Sequence, residues 1–241
     1  PDSTAHDLHL IISNDPALSA RVLKVVNSAF YALPGQIGSI NRAIVLLGLN
    51  AVKNIAIAAS LAKLFRGGRL CPKFAARDLW QHSVGVAAAV KLLSQRIKLG
   101  LPDESFLAGL IHDIGIMVEM QVRRAKLVQV FDRIENQNES FRQAEANVFG
   151  VTHEDFGHAL CERWKFPLCL TQVAGFHHRP MELTAESRTL ACMVHLADIL
   201  SARSGTGFTG TVDSFEVSPD VLDELKLTAQ TLDEIAEELP A

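Results

Sequence analysis

The chain has 241 residues, 48% of them hydrophobic, and a formal net charge of -4 at pH 7. A chain of this length and apolar content can form one large or two small domains with a substantial core, which excludes a disordered protein. Residues 218–241 carry a charge of -6, so the rest of the chain carries only +2. Bulk charge therefore gives no support to nucleic-acid binding.

No apolar run reaches the roughly 20 residues that span a bilayer, so we expect no membrane segment. No signal peptide is visible, and the four cysteines lack a Cys-x-x-Cys spacing, which is typical of reduced thiols in a cytoplasmic protein. Because the first residue is Pro1, we expect the sequence to be a trimmed piece of a longer chain.

Helix signals recur along the chain, and no segment has the alternating pattern of a strand. Asp15 followed by Pro16 is typical of a helix N-terminus, and Ser39 and Asn50 are further candidate N-caps. We therefore predict an all-α fold. The predicted helices are 7–13, 16–30, 40–47, 50–66, 74–97, a helix capped by Asp103, 123–136, 140–150, a helix from Thr152, 167–176 and 185–202.

The last part of the chain differs in composition. Residues 204–217 are rich in Gly, Ser and Thr, and we predict a linker there. Residues 218–241 are predicted to form an acidic helical tail that packs on the body or on a partner. Its apolar stripe consists of Leu222, Leu225, Leu232, Ile235 and Leu239.

His112 and Asp113 stand side by side within an apolar run. Burying two polar groups there costs several kcal/mol unless each finds a partner. A metal ion such as iron, zinc or manganese is one such partner, since imidazole nitrogen and carboxylate oxygen bind all three. The alternative is a hydrogen-bonded core histidine beside a helix cap.

Further histidines and one aspartate extend this pair into an ordered set that resembles the HD superfamily of metal-dependent phosphohydrolases. In that family, separate helices of a bundle each deliver one or two ligands to one or two metal ions. The resemblance implies one ion held by His82, His112, Asp113 and Asp198, and a second held by His153, His177 and His178, with Asp113 shared.

The resemblance also bears on three other residues. Related HD-GYP phosphodiesterases have a glutamate four residues before the first histidine, which implies Asp78 as a candidate extra ligand, and Asp78 shares one helical face with His82. His158 and His195 match no ligand position of the family, and we interpret them as ordinary, partly buried histidines. The competing hypothesis for the whole set is that these histidines are relics, hydrogen-bonded to one another and to the backbone.

Five segments in the first third of the chain carry a second resemblance, namely 13–18, 25–31, 37–40, 42–44 and 46–49. They make this part similar to the HDOD domain, the HD-related output domain of bacterial signalling proteins. The resemblance extends over roughly residues 8–200 and implies an HDOD domain at 1–203, with a helical N-terminal part at 1–70 and an HD-like bundle at 71–203. The family's first helix is expected to be shortened or missing in this chain.

Two departures argue against full catalysis. Related phosphodiesterases of the HD-GYP type read His-Asp-Ile-Gly-Lys, whereas this chain has Ile116 at the lysine position. The doublet His177-His178 is followed by Arg179-Pro180-Met181-Glu182 and lacks Gly-Tyr-Pro. Hydrolysis of cyclic di-GMP therefore has little direct support.

A basic cluster near residue 70 can be interpreted as a phosphate contact or as a solvated loop. Its members are Arg66, Arg69, Lys73 and Arg77.

We therefore expect a signal-transduction output domain that acts through contacts with signalling proteins and retains an HD-type site for one or two Fe, Mn or Zn ions. A nucleotide is a further candidate ligand. The alternative is a metal-dependent phosphohydrolase or cyclic-nucleotide phosphodiesterase, whose catalytic residues the sequence does not identify.

Overall fold

The structure is a computed structural model that describes residues 4–28, 31, 33–66, 68–98, 102–228, 231–232 and 234–235. The chain divides into two compact units, Pro1–Leu64 and Phe65–Ala241. Four sequence-based predictions lie outside the described residues. They are the helix end at Phe30, the side chains of Arg66 and Asp103, and the stripe residue Leu239.

The first unit is helical, as predicted. Thr4 and Asp7 form a capping box at the first helix, and the Asp15 carboxylate accepts a hydrogen bond of 2.9 Å from the backbone N–H of Leu18. The cap predicted at Asn50 is wrong, because the fourth helix begins at Leu49, after Gly48 at φ +89°, and Asn50 lies within it. The helices are α1 (Ala5–Ser13), α2 (Pro16–Val26), α3 (Ile40–Leu47) and α4 (Leu49–Leu61).

The second unit contains the histidine set, and helices dominate it as well. Short 3-10 turns occur at Leu64–Arg66, which spans the boundary between the two units along the chain, and at Pro180–Glu182. The helices are α5 (Ala76–Arg96), α6 (Pro102–Ile111), α7 (Ile114–Val122), α8 (Arg124–Gln137), α9 (Phe141–Phe149), α10 (His153–Arg163), α11 (Leu168–Phe176), α12 (Ala185–Arg203) and α13 (Pro219–Leu225).

A two-stranded antiparallel hairpin precedes α5, although the sequence predicted no strand. Its strands are β1 (Arg69–Cys71) and β2 (Phe74–Ala75). Strands of three and two residues are too short to show alternation, and Phe74 read as a helical residue because it is apolar and followed by Ala75. Its side chain is buried and packs edge-on to Phe208, with ring centroids 4.9 Å apart. The all-α prediction is otherwise confirmed.

The core of the second unit is built around α12. This helix packs on α5 and α6, while α10 packs on α7 and α11. Two glycines allow the closest approaches. A Cβ on Gly109 of α6 would lie 2.7 Å from the Cα of Ala87, and one on Gly115 of α7 would lie 1.9 Å from the carbonyl oxygen of His153. The helices that carry the histidines are therefore in backbone contact.

One stretch, Glu104–Val122, is long and apolar enough by length and composition to cross a membrane. The expectation that no run reaches that length is therefore wrong. However, 78% of the stretch is buried inside the protein, and a core helix of a soluble protein gives the same pattern.

Residues 204–217, predicted as a linker, cross over α5. The backbone N–H of Phe208 donates to the carbonyl oxygen of Asp78 at 2.9 Å, and the Phe208 ring is buried against Phe131 and Phe141. Gly207, at φ +72°, has no room for a Cβ, which would lie 2.5 Å from the backbone nitrogen of His82. This segment is thus held against the helix that carries His82.

The described part of the acidic tail packs on the body, in line with its apolar stripe. Helix α13 contacts α12, and the hydroxyl of Thr189 donates to the Glu224 carboxylate at 2.7 Å. Leu225, Leu232 and Ile235 are buried. Most of the tail after residue 228 lies outside the described residues.

Candidate metal centre

His112 and Asp113 occupy the turn between α6 and α7, and both side chains are essentially inaccessible to solvent. Asp113 holds the N-cap position of α7, yet its carboxylate makes no capping hydrogen bond. An aspartate at this position normally accepts from the backbone N–H groups of the first turn. The Asp113 carboxylate instead points at histidines from other helices, so it is available to a ligand.

One group of potential ligand atoms gathers at Asp113 Oδ1. The Nε2 atoms of His153 and His177 each lie 3.3 Å from this oxygen, and His178 Nε2 lies 3.1 Å from His153 Nε2. All four residues offer atoms within 4.8 Å of one another. Atoms bound to one ion at about 2.1 Å are roughly 3.0–3.4 Å apart, so this spacing matches shared coordination.

A second group adjoins the other oxygen of the same carboxylate. His112 Nε2 lies 3.3 Å from Asp113 Oδ2, and the potential ligand atoms of His82, His112 and Asp113 lie within 4.8 Å of one another. Asp198 Oδ1 borders this group, at 2.9 Å from His82 Nε2 and 3.8 Å from His112 Nε2. Thr211 donates a long hydrogen bond of 3.4 Å to Asp113 Oδ2.

The outer nitrogens of three histidines are held by the protein. Nδ1 of His112 donates to the carbonyl of Gly109 at 2.7 Å, and Nδ1 of His177 donates to the carbonyl of Val173 at 3.3 Å. Nδ1 of His153 donates to the buried carboxylate of Glu145 at 2.8 Å. Such contacts fix the tautomer in metal sites and leave Nε2 with a lone pair directed inward.

Four buried polar atoms of the seven candidate ligands have no hydrogen-bond partner among the described residues. They are His82 Nδ1, His112 Nε2, Asp113 Oδ1 and His177 Nε2. An unpaired polar atom in a core costs about 1–3 kcal/mol. His177 Nε2 lies 3.3 Å from Asp113 Oδ1, and His112 Nε2 lies 3.3 Å from Oδ2 of the same carboxylate, so a cation in each group would give these three inward atoms a partner. The donor set of imidazoles and carboxylates suits iron, manganese or zinc.

The electrostatics lead to the same requirement for positive charge. Burial lowers the pKa of His112, but the Asp113 carboxylate outweighs burial and raises it to about 9. Burial also lowers the pKa of His153, but the Glu145 carboxylate outweighs burial and raises this pKa to about 10. Burial would raise the pKa of Asp113, yet the adjacent imidazoles hold it well below the usual value. Protons or a cation must therefore balance the buried carboxylates.

The structure brings all seven predicted residues together, each within 4 Å of another member. Whether they bind an ion stays a prediction. The seven are His82, His112, Asp113, His153, His177, His178 and Asp198.

Asp78 belongs to neither group, since among the described residues both groups consist of other side chains. His158 is one-third exposed beside Glu162, and His195 Nδ1 donates to the carbonyl of His177 at 2.8 Å. The described members of the basic cluster are exposed, and Lys73 pairs with Glu135 at 3.3 Å. This pairing agrees with the solvated-loop interpretation.

Sequence reasoning missed three residues of the site. Glu145, which orients His153, lies on α9, whereas His153 is the first residue of α10, so no helical spacing relates the two. Thr211 lies in a segment interpreted as a linker. Arg142 lines a cavity of about 150 Å³ beside the histidines. The only available signal was Glu145 itself, a charged residue on the apolar face of a predicted helix. The cavity is also lined by His178, His195, Asp198, Ile199, Val212, Asp213, Ser214 and Glu216.

Comparison with known proteins identifies the family. The HDOD domain matches residues 1–180 of this sequence. The chain belongs to the HDOD family. The sequence-based recognition is thus confirmed, and the geometry above is that of an HDOD domain.

Solved structures similar to this HDOD chain agree in fold. An HDOD domain protein of unknown function from Geobacter sulfurreducens is 27% identical, with a TM-score of 0.78 over 100% of this chain and 88% of that one. A candidate signal transduction protein from Marinobacter aquaeolei VT8 is 26% identical, with a TM-score of 0.79 over 99% and 53% of the two chains. A candidate phosphohydrolase from Shewanella amazonensis SB2B is 25% identical, with a TM-score of 0.76 over 99% and 83%.

Among curated proteins, an uncharacterized protein of Treponema pallidum (strain Nichols) is 24% identical over 96% of this chain. The match covers 45% of that protein, so this HDOD chain spans about half the length of the curated relative.

Proposed function

We propose that this HDOD domain retains an HD-type site for one or two transition-metal ions and acts as a signal-transduction output domain through contacts with other proteins. The observation that carries the metal proposal is the convergence of buried, outwardly hydrogen-bonded histidines on Asp113. Three of their facing atoms have no hydrogen-bond partner among the described residues. A relic core held only by its own hydrogen bonds would not leave these atoms unpaired.

The two oxygens of Asp113 face different groups of histidines, as expected of a carboxylate shared by two ions. His153, His177 and His178 would hold one ion, and His82, His112 and Asp198 the other. When bound, such ions polarise phosphoryl oxygens and lower the pKa of water. The protein's own contribution is to fix the donors and to exclude bulk solvent from them.

The signalling role is supported by the family and by the description of a relative, and not by the geometry of the site. The family is an HD-related output domain, and a relative from Marinobacter aquaeolei VT8 is a candidate signal transduction protein. We propose signalling proteins as partners and a cytoplasmic location. We also propose that the chain divides into an HDOD domain at 1–203, a linker at 204–217 and an acidic tail at 218–241.

Metal content tests the proposal directly. Protein purified without chelators and supplied with iron, manganese or zinc should contain one to two ions per chain by elemental analysis. His112→Ala and Asp113→Ala should each lose most of this metal, because alanine offers no ligand atom. His158→Ala removes a partly exposed histidine outside both groups and should retain the metal. Absence of metal from the unaltered protein would favour the relic hypothesis.

A metal-dependent phosphohydrolase is the second candidate function. It is favoured by the likeness to the candidate phosphohydrolase from Shewanella amazonensis SB2B and by the cavity beside His178 and Asp198. The fully buried Ile116 at the lysine position of related phosphodiesterases argues against it. We therefore propose the output role first.

A further inference from the structure

The cavity next to the candidate metal centre is lined by members of the histidine set and by residues of the 204–217 segment. His178 and Asp198, which belong to the histidine set, line its inner side. Residues of the 204–217 segment, including Ser214 and Glu216, line the side that leads to solvent. The cavity therefore lies between this segment, Arg142 of α9, residues of α12 and His178.

Arg142 is the positively charged side chain that lines this cavity, and the protein neutralises its charge only in part. Its Nη2 lies 3.0 Å from Oε2 of the buried Glu154, but Arg179 also approaches that carboxylate at 3.5 Å. Two guanidinium groups thus share one buried carboxylate. The Nε–H of Arg142 is buried and has no hydrogen-bond partner among the described residues. A guanidinium with a free donor at a cavity wall is suited to an oxyanion.

The other polar groups narrow the choice of anion. The hydroxyl of Ser214 can donate a hydrogen bond into the cavity. Nδ1 of His195 donates to the carbonyl of His177, so the remaining ring nitrogen of the neutral imidazole is an acceptor. The lining therefore combines donors for anionic oxygens with an acceptor for a hydroxyl group. Hydrogen phosphate and phosphate monoester monoanions carry both features, whereas sulfate at neutral pH has no proton to donate.

We propose that this cavity binds a single phosphate group, either inorganic phosphate or that of a small monoester, with Arg142 as its main anchor. Ser214 and His195 contact the remaining oxygens. The inference rests on the proposed function, since two residues of the candidate metal centre form the inner wall. Arg142, on α9, supplies a cation near the candidate metal centre, which Ile116 on α7 cannot do.

Size excludes larger phosphodiesters from this cavity. Its volume of about 150 Å³ is close to that of an engineered cavity that holds benzene. Pockets for drug-sized ligands start at roughly 300 Å³. A cyclic dinucleotide is therefore too large to enter it.

Binding of inorganic phosphate to the full chain, measured by isothermal titration calorimetry on metal-free and metal-loaded protein, tests the proposal. Arg142→Gln should weaken binding about 10-fold to 100-fold, as expected for loss of a charged hydrogen bond. Arg142→Lys keeps the charge without the fork and should give an intermediate loss. Arg179→Gln is the matched control, because Arg179 approaches the same Glu154 but does not line the cavity, and it should change binding by less than about twofold.

Ligand comparisons complete the test. Glycerol phosphate should bind with a similar dependence on Arg142, sulfate about tenfold more weakly than phosphate, and cyclic di-GMP not at all. The inference is overturned if phosphate does not bind either form of the protein, if Arg142→Gln and Arg179→Gln weaken it equally, or if cyclic di-GMP competes for the site. Elemental analysis of the same samples judges the metal proposal separately. Protein that takes up no metal when it is supplied, yet binds phosphate through Arg142, would contradict the proposed function and uphold this inference.

Discussion

At the scale of single residues, the site depends on groups that do not follow their usual local roles. Asp113 occupies an N-cap without capping, and the neighbouring helix begins with no side-chain hydrogen bond from it. That lost cap costs about 1 kcal/mol in other helices. Retaining an aspartate here is understandable if its carboxylate serves the histidines instead. Glu145 is likewise a carboxylate retained in the core: it has no exposed surface, and both of its oxygens contact His153.

Glu145 provides a prediction at this scale. Glu145→Gln keeps the size of the side chain and one acceptor for Nδ1 of His153, but it removes the charge that makes this imidazole a better ligand. Outer partners of metal ligands typically contribute 10-fold to 100-fold in affinity. We expect a loss of about 10-fold in metal affinity for Glu145→Gln, measured by competition with a chromophoric chelator, and a larger loss for Glu145→Ala.

The matched control is Glu162→Gln, which removes a carboxylate beside His158 at the surface, outside both groups. It should leave metal affinity unchanged. Equal losses in Glu145→Gln and Glu162→Gln would show that the effect is one of general charge and not of the contact with His153.

At the scale of elements, the site exists because helices approach at glycines. Gly115 follows His112-Asp113 by two residues and brings α7 against the start of α10, where His153 lies. Any larger residue would separate the two helices and move His153 away from Asp113. Gly109 does the same between α6 and α5.

Gly115→Ala should therefore be strongly destabilising. The new Cβ would lie 1.9 Å from a backbone oxygen, and neither helix can shift without disturbing the core. We expect a loss of about 3 kcal/mol or more in unfolding free energy, the upper part of the range for overpacked cores, measured by denaturant unfolding. Gly38→Ala, where a Cβ would meet nothing within 4 Å, should change stability by less than about 0.5 kcal/mol. Equal stability of the two variants would contradict the close approach of α7 and α10.

The 204–217 segment is the other element that positions the site. Phe208 anchors it among Phe74, Phe131 and Phe141, and the close contact at Gly207 directs the chain toward Asp113. From there the segment provides Thr211 to the carboxylate and Ser214 to the cavity. A stretch that reads as a flexible linker by composition is thus part of the wall of the candidate site.

At the scale of the whole molecule, the first unit, Pro1–Leu64, has a core of its own, and both groups of candidate ligands belong to the second unit. The segments between residues 13 and 49 that resemble the HDOD domain in the sequence lie in the first unit, although the family match continues to residue 180.

Turnover is the prediction that belongs to this scale. Metal-loaded protein should hydrolyse cyclic di-GMP and a chromogenic phosphodiester very weakly or not at all, because Ile116 replaces a cation. Loss of one preorganised group that stabilises developing charge costs about 10²–10³ in rate. His112→Ala is the control for metal-dependent activity. Turnover near or above about one per second, abolished in the control, would instead make this protein an enzyme.

The sequence by itself determined the helical class, the family and the membership of the histidine set. Helix caps such as Asp15 and apolar periodicity are local signals, which can be recognised without knowledge of the tertiary structure. The set of histidines was found because the motif residues occur in a recognisable order along the chain. None of this required knowledge of which helices pack together.

The tertiary structure alone decided which residues complete the site. Glu145, Arg142 and Thr211 reach it through the packing of α9 and the path of residues 204–217, and no periodicity relates them to the histidines. The hairpin at Phe74 was missed for a similar reason, since two short strands are stabilised by burial of an aromatic ring and not by local propensity. Long-range packing brings together groups such as His82 and Asp198, which are 116 residues apart in the sequence. Local sequence patterns do not encode such contacts.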